Sequence, residues 1–344
     1  MVIKTDVTEM LGIEKPILGA PMGPFYTTKL TIAVSEAGGC GTLSHTNLFG
    51  KSSLKELKSN MMEVVEHTDK PFGFNIRTAR MQTDAKLLCR LIPKFIKDNP
   101  KLREQCIYAL TSAGTARMLQ SSKSYQKLKE VSEIKNFHVA PAPWLADKCI
   151  EAGVDGLVVT GIEGGGHQAY EKIGLMVLLQ KIKQEHPDMP VVACGSIANG
   201  IGLASCLAAG AGAVAMGTRF IASKDSEFHE NYKGIVPPAK CTDTTFVTGF
   251  LAPIRLWKNK YTASHDLVTN KEEKIAKEQA MTIEELIEDQ KHYEEIYYGH
   301  VEDGATPLGQ CCGVIHEIKS VQEIMDELIA DAEKHLKRAA SQIE

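Results

Sequence analysis

The residues with the clearest chemical meaning lie in one short loop, Gly161-Ile162-Glu163-Gly164-Gly165-Gly166-His167. Three successive glycines let a backbone pass close beside a flat ligand, because no Cβ stands in the way. His167 follows at once. An imidazole titrates near neutrality, which suits it to removing a carbon-bound proton. An arbitrary histidine more often bonds a neighbouring carbonyl, but this one ends an apolar run of strand type, where catalytic groups collect in β/α folds. Glu163 can brace the glycine loop without touching a substrate.

Two further stretches, Cys194-Gly195-Ser196-Ile197 and Met216-Gly217-Thr218-Arg219, end consecutive apolar runs. Each glycine alone reads as a tight turn. Together they read as a phosphate cradle, with backbone N–H groups close to the anion and the Ser196 and Thr218 hydroxyls as extra donors. Earlier in the chain, Ala20-Pro21-Met22-Gly23 follows the first run and Asn75 ends the third. Met22 can lie against a ring through its polarizable sulfur or serve as ordinary packing. Asn75 can bond a heterocycle edge through its amide or act as a turn residue.

These residues need elements to hold them. Short apolar runs fall at residues 16–20, 39–44, 72–76, 106–111, 137–140, 156–161, 191–195 and 213–217. Amphipathic helical patterns alternate with them at 30–37, 52–67, 83–97, 115–131, 145–152, 171–184 and 199–209. Runs that are apolar throughout are strands buried on both faces, as in a parallel sheet covered by helices. The pattern predicts an α/β chain folded as a single (β/α)8 TIM barrel over residues 1–344. An open doubly wound sheet competes, but its Gly-x-Gly-x-x-Gly turn is missing, and the glycines here end several strands instead of one. Residues 221–305 are expected to form a helical excursion or cap near the barrel mouth, and 306–344 a helical return. Within the excursion, Tyr293 to Tyr298, with His292 and His300, either line a substrate entrance or pack on the rim.

Composition narrows the function classes. A net charge of −4 with dispersed basic residues disfavours a nucleic-acid enzyme. No apolar stretch reaches membrane-spanning length, and the N-terminus lacks a secretory pattern. Nine scattered cysteines without a Cys-x-x-Cys pair fit reduced thiols, a cytoplasmic setting and no metal site. The partner expected is a small-molecule substrate; a homodimer is left open.

In this order the pieces resemble the nitronate monooxygenase (formerly 2-nitropropane dioxygenase) family of FMN-containing barrels. The resemblance rests on residues 16–23, 33–41, 71–75, 153–167, 190–197 and 212–220, and on Gly309-Gln310-Cys311-Cys312-Gly313. It is weakest at 80–140 and 225–305. It implies an FMN whose phosphate sits at Gly195, Ser196, Gly217 and Thr218. Ala20, Pro21, Met22, Asn75, Thr160, Gly161 and Gly166 are then expected around the flavin, with His167 as catalytic base on the substrate side. The implied reaction is oxidation of a nitronate or related carbanion-forming substrate with oxygen. Relatives on this scaffold instead use NADH or NADPH to reduce quinones or enoyl thioesters, and a barrel binding a phosphate ligand without redox chemistry is a third reading. The chain departs from the family pattern at Ala169, where a glycine is usual, at Ser196, and at Ser112-Ala113-Gly114-Thr115, which lacks a proline.

Overall fold

Each of the eight apolar runs forms a parallel strand: β1 (Ile17–Gly19), β2 (Gly41–Leu43), β3 (Phe72–Arg77), β4 (Cys106–Ser112), β5 (Lys135–Ala140), β6 (Gly156–Thr160), β7 (Val191–Cys194) and β8 (Ala213–Met216). In this computed structural model, which describes residues 3–249, 252–280 and 282–343, they lie in the order β1-β8-β7-β6-β5-β4-β3-β2. The two ends meet. Gly19 N–H donates to the Cys40 carbonyl at 3.0 Å and Cys40 N–H to the Ile17 carbonyl at 3.1 Å, so the sheet closes into a barrel.

Strand alternation decides which side chains face inward. Along β3, Phe72, Phe74 and Ile76 pack on the surrounding helices, which turns Asn75 and Arg77 toward the axis. Val158 and Thr160 of β6, Cys194 of β7 and Ala215 of β8 point inward by the same rule, and all four line the central cavity. The lower end is plugged. Helix Asp6–Leu11, capped by Thr5, inserts Val7 and Leu11 among Leu18, Tyr108, Val192 and Ala213. That apolar plug leaves the carboxyl ends of the strands as the open, chemical face.

The expected helices form, with two differences in the barrel shell. The pattern at 115–131 divides into Arg117–Gln120 and Lys123–Lys129, and a short helix, Pro100–Gln105, precedes β4. The chain after β8 then departs from a purely helical expectation. Thr244–Thr248 (β9) and Pro253–Trp257 (β10) form an antiparallel pair, and β10 also pairs with a two-residue strand, Gly166–His167. Threonine, phenylalanine, valine and tryptophan in alternation suit this pleated surface. Helices Lys271–Ala280 and Ile283–Glu295 follow. Helix Val321–Ala340 begins with a Ser320/Glu323 capping box. It buries Val321, Ile324, Met325, Leu328, Ile329 and Ala332, a 3.6-residue stripe, in the apolar core outside the barrel. No helix among the described residues is long and apolar enough to cross a membrane.

Candidate active site

The glycine loop is held from three sides. Glu163 turns outward to the helical shell, where its carboxylate accepts the first N–H of helix Leu175–Glu185, Leu175 N–H, at 3.0 and 3.2 Å. Its carbonyl accepts Gln310 N–H at 2.9 Å. From the β9–β10 pair, the buried Arg255 donates through Nε to the Ile162 carbonyl and through Nη1 to Thr244 Oγ1, both at 2.9 Å. Gln168 N–H donates to the Pro253 carbonyl at 2.8 Å, and Gln168 Nε2 closes the loop on the Gly164 carbonyl at 3.1 Å. The loop is therefore a fixed platform for His167.

His167 is half-buried on the cavity wall and lies face to face with Tyr293, centroids 6.1 Å apart and planes 12° from parallel. Burial in this wall, reinforced by Arg77 and Lys274, pushes its pKa down to about 3. The imidazole is neutral at physiological pH, the form that accepts a proton. Arg77, two residues beyond Asn75 on the same face of β3, was not singled out from the sequence. That spacing was the signal available. Its backbone N–H donates to His45 Nδ1 at 3.0 Å, and its guanidinium to the His45 carbonyl at 3.2 Å and to Asn47 Oδ1. Because His45 Nδ1 accepts, the ring proton sits on Nε2, which donates to Asp84 Oδ2 at 3.2 Å. Burial keeps His45 below its usual pKa. Arg77 is depressed by burial to about 10 and stays cationic at neutral pH.

Asn75 is buried, and its amide nitrogen is committed to the Leu110 carbonyl and Ser112 Oγ, both at 3.1 Å. That orientation presents Oδ1 as the acceptor edge. Met22 is fixed through its N–H on Ser44 Oγ at 2.7 Å. Ala20, Pro21, Met22, Asn75, Thr160, Gly166, His167, Gly217 and Thr218 all line one cavity of about 1320 Å³. Gly161, Gly195 and Ser196 lie outside its wall. A Cβ on Gly161 would stand 2.3 Å from Glu163 Oε2 and 2.5 Å from Leu175, so this glycine makes room for the Glu163 brace.

Gly195 packs against the glycine loop, next in the chain to Cys194 of the cavity wall. Gly195 has φ +122°, and a Cβ there would meet the Gly161 carbonyl oxygen at 3.1 Å and Gly164 N at 3.2 Å. The only described non-glycine residues with positive φ are Ala113 and Lys172, so Ser196 keeps ordinary backbone geometry. Gly309 completes this corner: its N–H donates to Thr218 Oγ1 at 3.0 Å. Among the described residues, the N–H groups of Gly195, Ser196, Gly217 and Thr218 donate to no protein acceptor. Orphaned donors beside a glycine-built concavity are the donor set an anion requires.

Tyr293 through Tyr298 divide between the two expectations. Tyr293 faces the cavity and His167, whereas Tyr297 packs on the rim against Phe25 at 6.5 Å and Tyr26 at 6.0 Å. His292 bonds the Asp303 carbonyl at 3.0 Å, and His300 bonds Glu295.

The family model described as nitronate monooxygenase matches residues 4–331. The chain belongs to the nitronate monooxygenase family. It is an oxidoreductase of that type, and membership implies a flavin cofactor. A nitronate monooxygenase of Paraburkholderia phytofirmans is 31% identical over 76% of this chain and 78% of its own length. A Mycobacterium tuberculosis protein, (3aS,4S,5R,7aS)-5-hydroxy-7a-methyl-1-oxo-octahydro-1H-indene-4-carboxyl-CoA dehydrogenase, is 27% identical over the full length of both chains. Among solved structures, FabK from Thermotoga maritima superposes with a TM-score of 0.78 at 29% identity, covering 99% of this chain and 100% of its own. As in other (β/α)8 enzymes, the site of this family member opens at the carboxyl ends of the strands.

Proposed function

We propose that this chain is an FMN-dependent oxidoreductase that oxidises a nitronate, or a related small substrate able to form a carbanion, with oxygen. The observation that carries the reading is a neutral imidazole, His167, facing a cavity whose opposite requirement, an anion cradle, is met by the free donors at β7 and β8. Gly195, Ser196, Gly217 and Thr218 would hold the FMN phosphate, and Met22, Asn75, Thr160 and Gly166 would surround its ring system. Bound there, FMN supplies a two-electron acceptor that oxygen can reoxidise.

The chain's own residues then have separable tasks. Where the neutral carbon acid is the substrate, His167 would take its carbon-bound proton on an imidazole nitrogen; a nitronate arrives already deprotonated and needs no such step. Tyr293 stacks beside the ring and fixes its plane. Arg77 places a positive charge near the developing carbanion, which stabilises negative charge most where water is scarce. The apolar lining, including Val139, Val158 and Ile254, keeps bulk water from the reacting carbon.

The test is anaerobic mixing of purified enzyme with a nitronate, followed by visible absorbance. Bleaching of a bound flavin by the nitronate, and its return on admitting oxygen, is the expected result. A colourless protein that takes up no FMN overturns the reading. A second reading, in which NADH or NADPH supplies electrons for a quinone or enoyl thioester, is favoured by the cavity's size, about 1320 Å³, more than a small nitronate beside a flavin needs. Bleaching by a nicotinamide and not by a nitronate selects it.

A further inference from the structure

The 3-10 helix Gln310–Val314 stands between the cradle and the start of the β9–β10 hairpin. On the cradle side, Gly309 N–H holds Thr218 Oγ1 at 3.0 Å and Gln310 N–H holds the Glu163 carbonyl at 2.9 Å. Cys311, next in the chain, hydrogen-bonds Thr218. On the other side the helix meets the turn that leads into β9. That turn is closed by Lys240 N–H on Asp243 Oδ2 at 2.8 Å and by Asp243 N–H on the Lys240 carbonyl at 2.9 Å. The buried Cys312 thiol donates to the same Lys240 carbonyl at 3.4 Å.

The residue after Lys240 is a second cysteine. Cys241 is exposed, and it is the one exposed thiol among the nine cysteines. Its sulfur lies against the residue after Cys312: a Cβ on Gly313 would stand 2.3 Å from Cys241 Sγ, 2.5 Å from Cys241 N and 3.1 Å from Cys241 Cα. The bare glycine lets the two backbones approach this closely. The contacts are reciprocal. Cys312 Sγ touches the carbonyl that precedes Cys241, and Cys241 Sγ touches the residue that follows Cys312. Two sulfurs crossed over one short backbone contact are within reach of a disulfide, which needs close Cα atoms. An accessible thiol beside a buried partner is also the arrangement that makes thiol oxidation reversible.

We infer that Cys241 and Cys312 form a peroxide-sensitive dithiol whose closure loosens the corner that holds the flavin phosphate. The effect on flavin rests on the FMN placement proposed above; the dithiol itself does not. Burial pushes Cys312 up to about 11, so that thiol stays protonated at neutral pH and Cys241 is the sulfur that meets the oxidant. The Cys241 thiolate attacks one oxygen of hydrogen peroxide, the O–O bond breaks, and the departing hydroxide takes a proton to become water. Cys312 sulfur then attacks the resulting sulfenic acid. The S–S bond forms, the S–O bond breaks, and the Cys312 proton leaves with that oxygen as a second water. Two thiols lose two electrons and one peroxide gains them. An external dithiol reverses the step by exchange. Closure takes Cys312 Sγ off the Lys240 carbonyl and draws the 3-10 helix toward the turn, and the pull acts on Gly309 and Gln310 at its other end.

The experiment treats FMN-loaded enzyme with hydrogen peroxide, alkylates the remaining thiols and maps digested peptides by mass spectrometry, with and without prior dithiothreitol. A peptide pair joined through Cys241 and Cys312, and released by dithiothreitol, is expected. The oxidised protein should bind FMN severalfold more weakly, and dithiothreitol should restore the affinity. Cys241→Ser, at an exposed position, should keep the melting temperature and the FMN affinity while losing both the cross-link and the peroxide response. Cys312→Ala should stop at a Cys241 sulfenic acid that dimedone traps. The inference is overturned by a peroxide-treated protein with no cross-link, by a cross-link joining Cys194 to Cys311 instead, or by an unchanged FMN affinity in fully cross-linked protein. A peroxide response that survives Cys241→Ser also overturns it. Protein that takes up no FMN before oxidation defeats the phosphate assignment; the cross-link, read from mass alone, then stands or falls by itself.

Discussion

His167 and Tyr293 lie ring to ring, 12° from parallel, although one belongs to the loop after β6 and the other to a helix of the excursion. The tyrosine ring stands along one side of the imidazole. Removing the imidazole should therefore cost chemistry and spare cofactor binding. His167→Ala is expected to keep its flavin and lose roughly 10²–10⁴-fold in turnover, the usual range for a general base. Tyr293→Phe, which keeps the stack, should stay near wild type, while Tyr293→Ala falls between. Flavin-to-protein ratio and stopped-flow anaerobic reduction separate these outcomes.

The depressed pKa of His167, about 3, sets the sign of the pH response. A base with a lowered pKa is already unprotonated at neutrality and loses function only as pH falls toward that value. kcat/KM for a substrate that does not itself titrate should thus stay level on the acid side through about pH 5. Burial is the main cause of the depression and Arg77 the next. Arg77→Gln removes a repelling cation, so the imidazole protonates more easily and the acid limb moves to higher pH. An acid limb that stays in place would remove Arg77 from the electrostatics of the base.

Two glycines of the cradle should respond differently to one methyl group. At Gly217, φ is −107° and a Cβ would lie 3.6 Å from Met22 Sδ, an ordinary contact. Gly217→Ala is expected to keep its melting temperature and lose flavin affinity, because the methyl occupies the bound group's space. At Gly195, φ +122° and backbone atoms within 3.1–3.3 Å make any side chain strained. Gly195→Ala should lower both melting temperature and flavin content. Full flavin occupancy in Gly217→Ala would count against the phosphate assignment.

Arg255 is buried and bridges the Ile162 carbonyl to Thr244. Its loss leaves both acceptors unpaired. Arg255→Met is expected to destabilise the fold by about 2–3 kcal/mol, as for buried charge-assisted hydrogen bonds, and to lower kcat more than it raises KM. Lysine in its place restores charge but not the forked geometry, so rescue should be partial. Urea unfolding and steady-state kinetics on the same samples provide the check.

His138 lies outside the cavity wall, fully buried, with Nδ1 2.7 Å from Thr111 Oγ1 and a pKa lowered by burial to about 4. Its neutral form favours the fold fully above the unfolded value of 6.5, and this contribution disappears as pH falls toward 4. The shift corresponds to about 3 kcal/mol. The difference in urea midpoint between wild type and His138→Gln should therefore narrow between pH 7 and pH 4, at about one pKa span.

The barrel was legible because its signal is local. Strands buried on both faces must be apolar throughout, and each of the eight runs became a strand. The position of His167 and the donors at Gly217 and Thr218 could be read for the same reason: they end such runs. Gly161 lies outside the cavity wall, and its bare Cα makes room for a buried neighbour, Glu163. The β9–β10 pair carries β-prone residues in Thr-Thr-Phe-Val-Thr, but the polar stretch around it reads as helix. Its pairing with Gly166–His167 joins the loop after β6 to a segment beyond β8, a tertiary fact with no local trace. Arg77 could have been found from Asn75 by counting two along β3; Tyr293 could not, because nothing near it in sequence points to an imidazole.

The strand that orients His167 comes from outside the eight-stranded wall. Base and cradle are thus set by different parts of the chain: the cradle by the ends of barrel strands β7 and β8, and the aim of the base by a hairpin that follows the barrel. A substitution in the hairpin can therefore re-aim the imidazole without touching the strand ends that carry the orphaned donors.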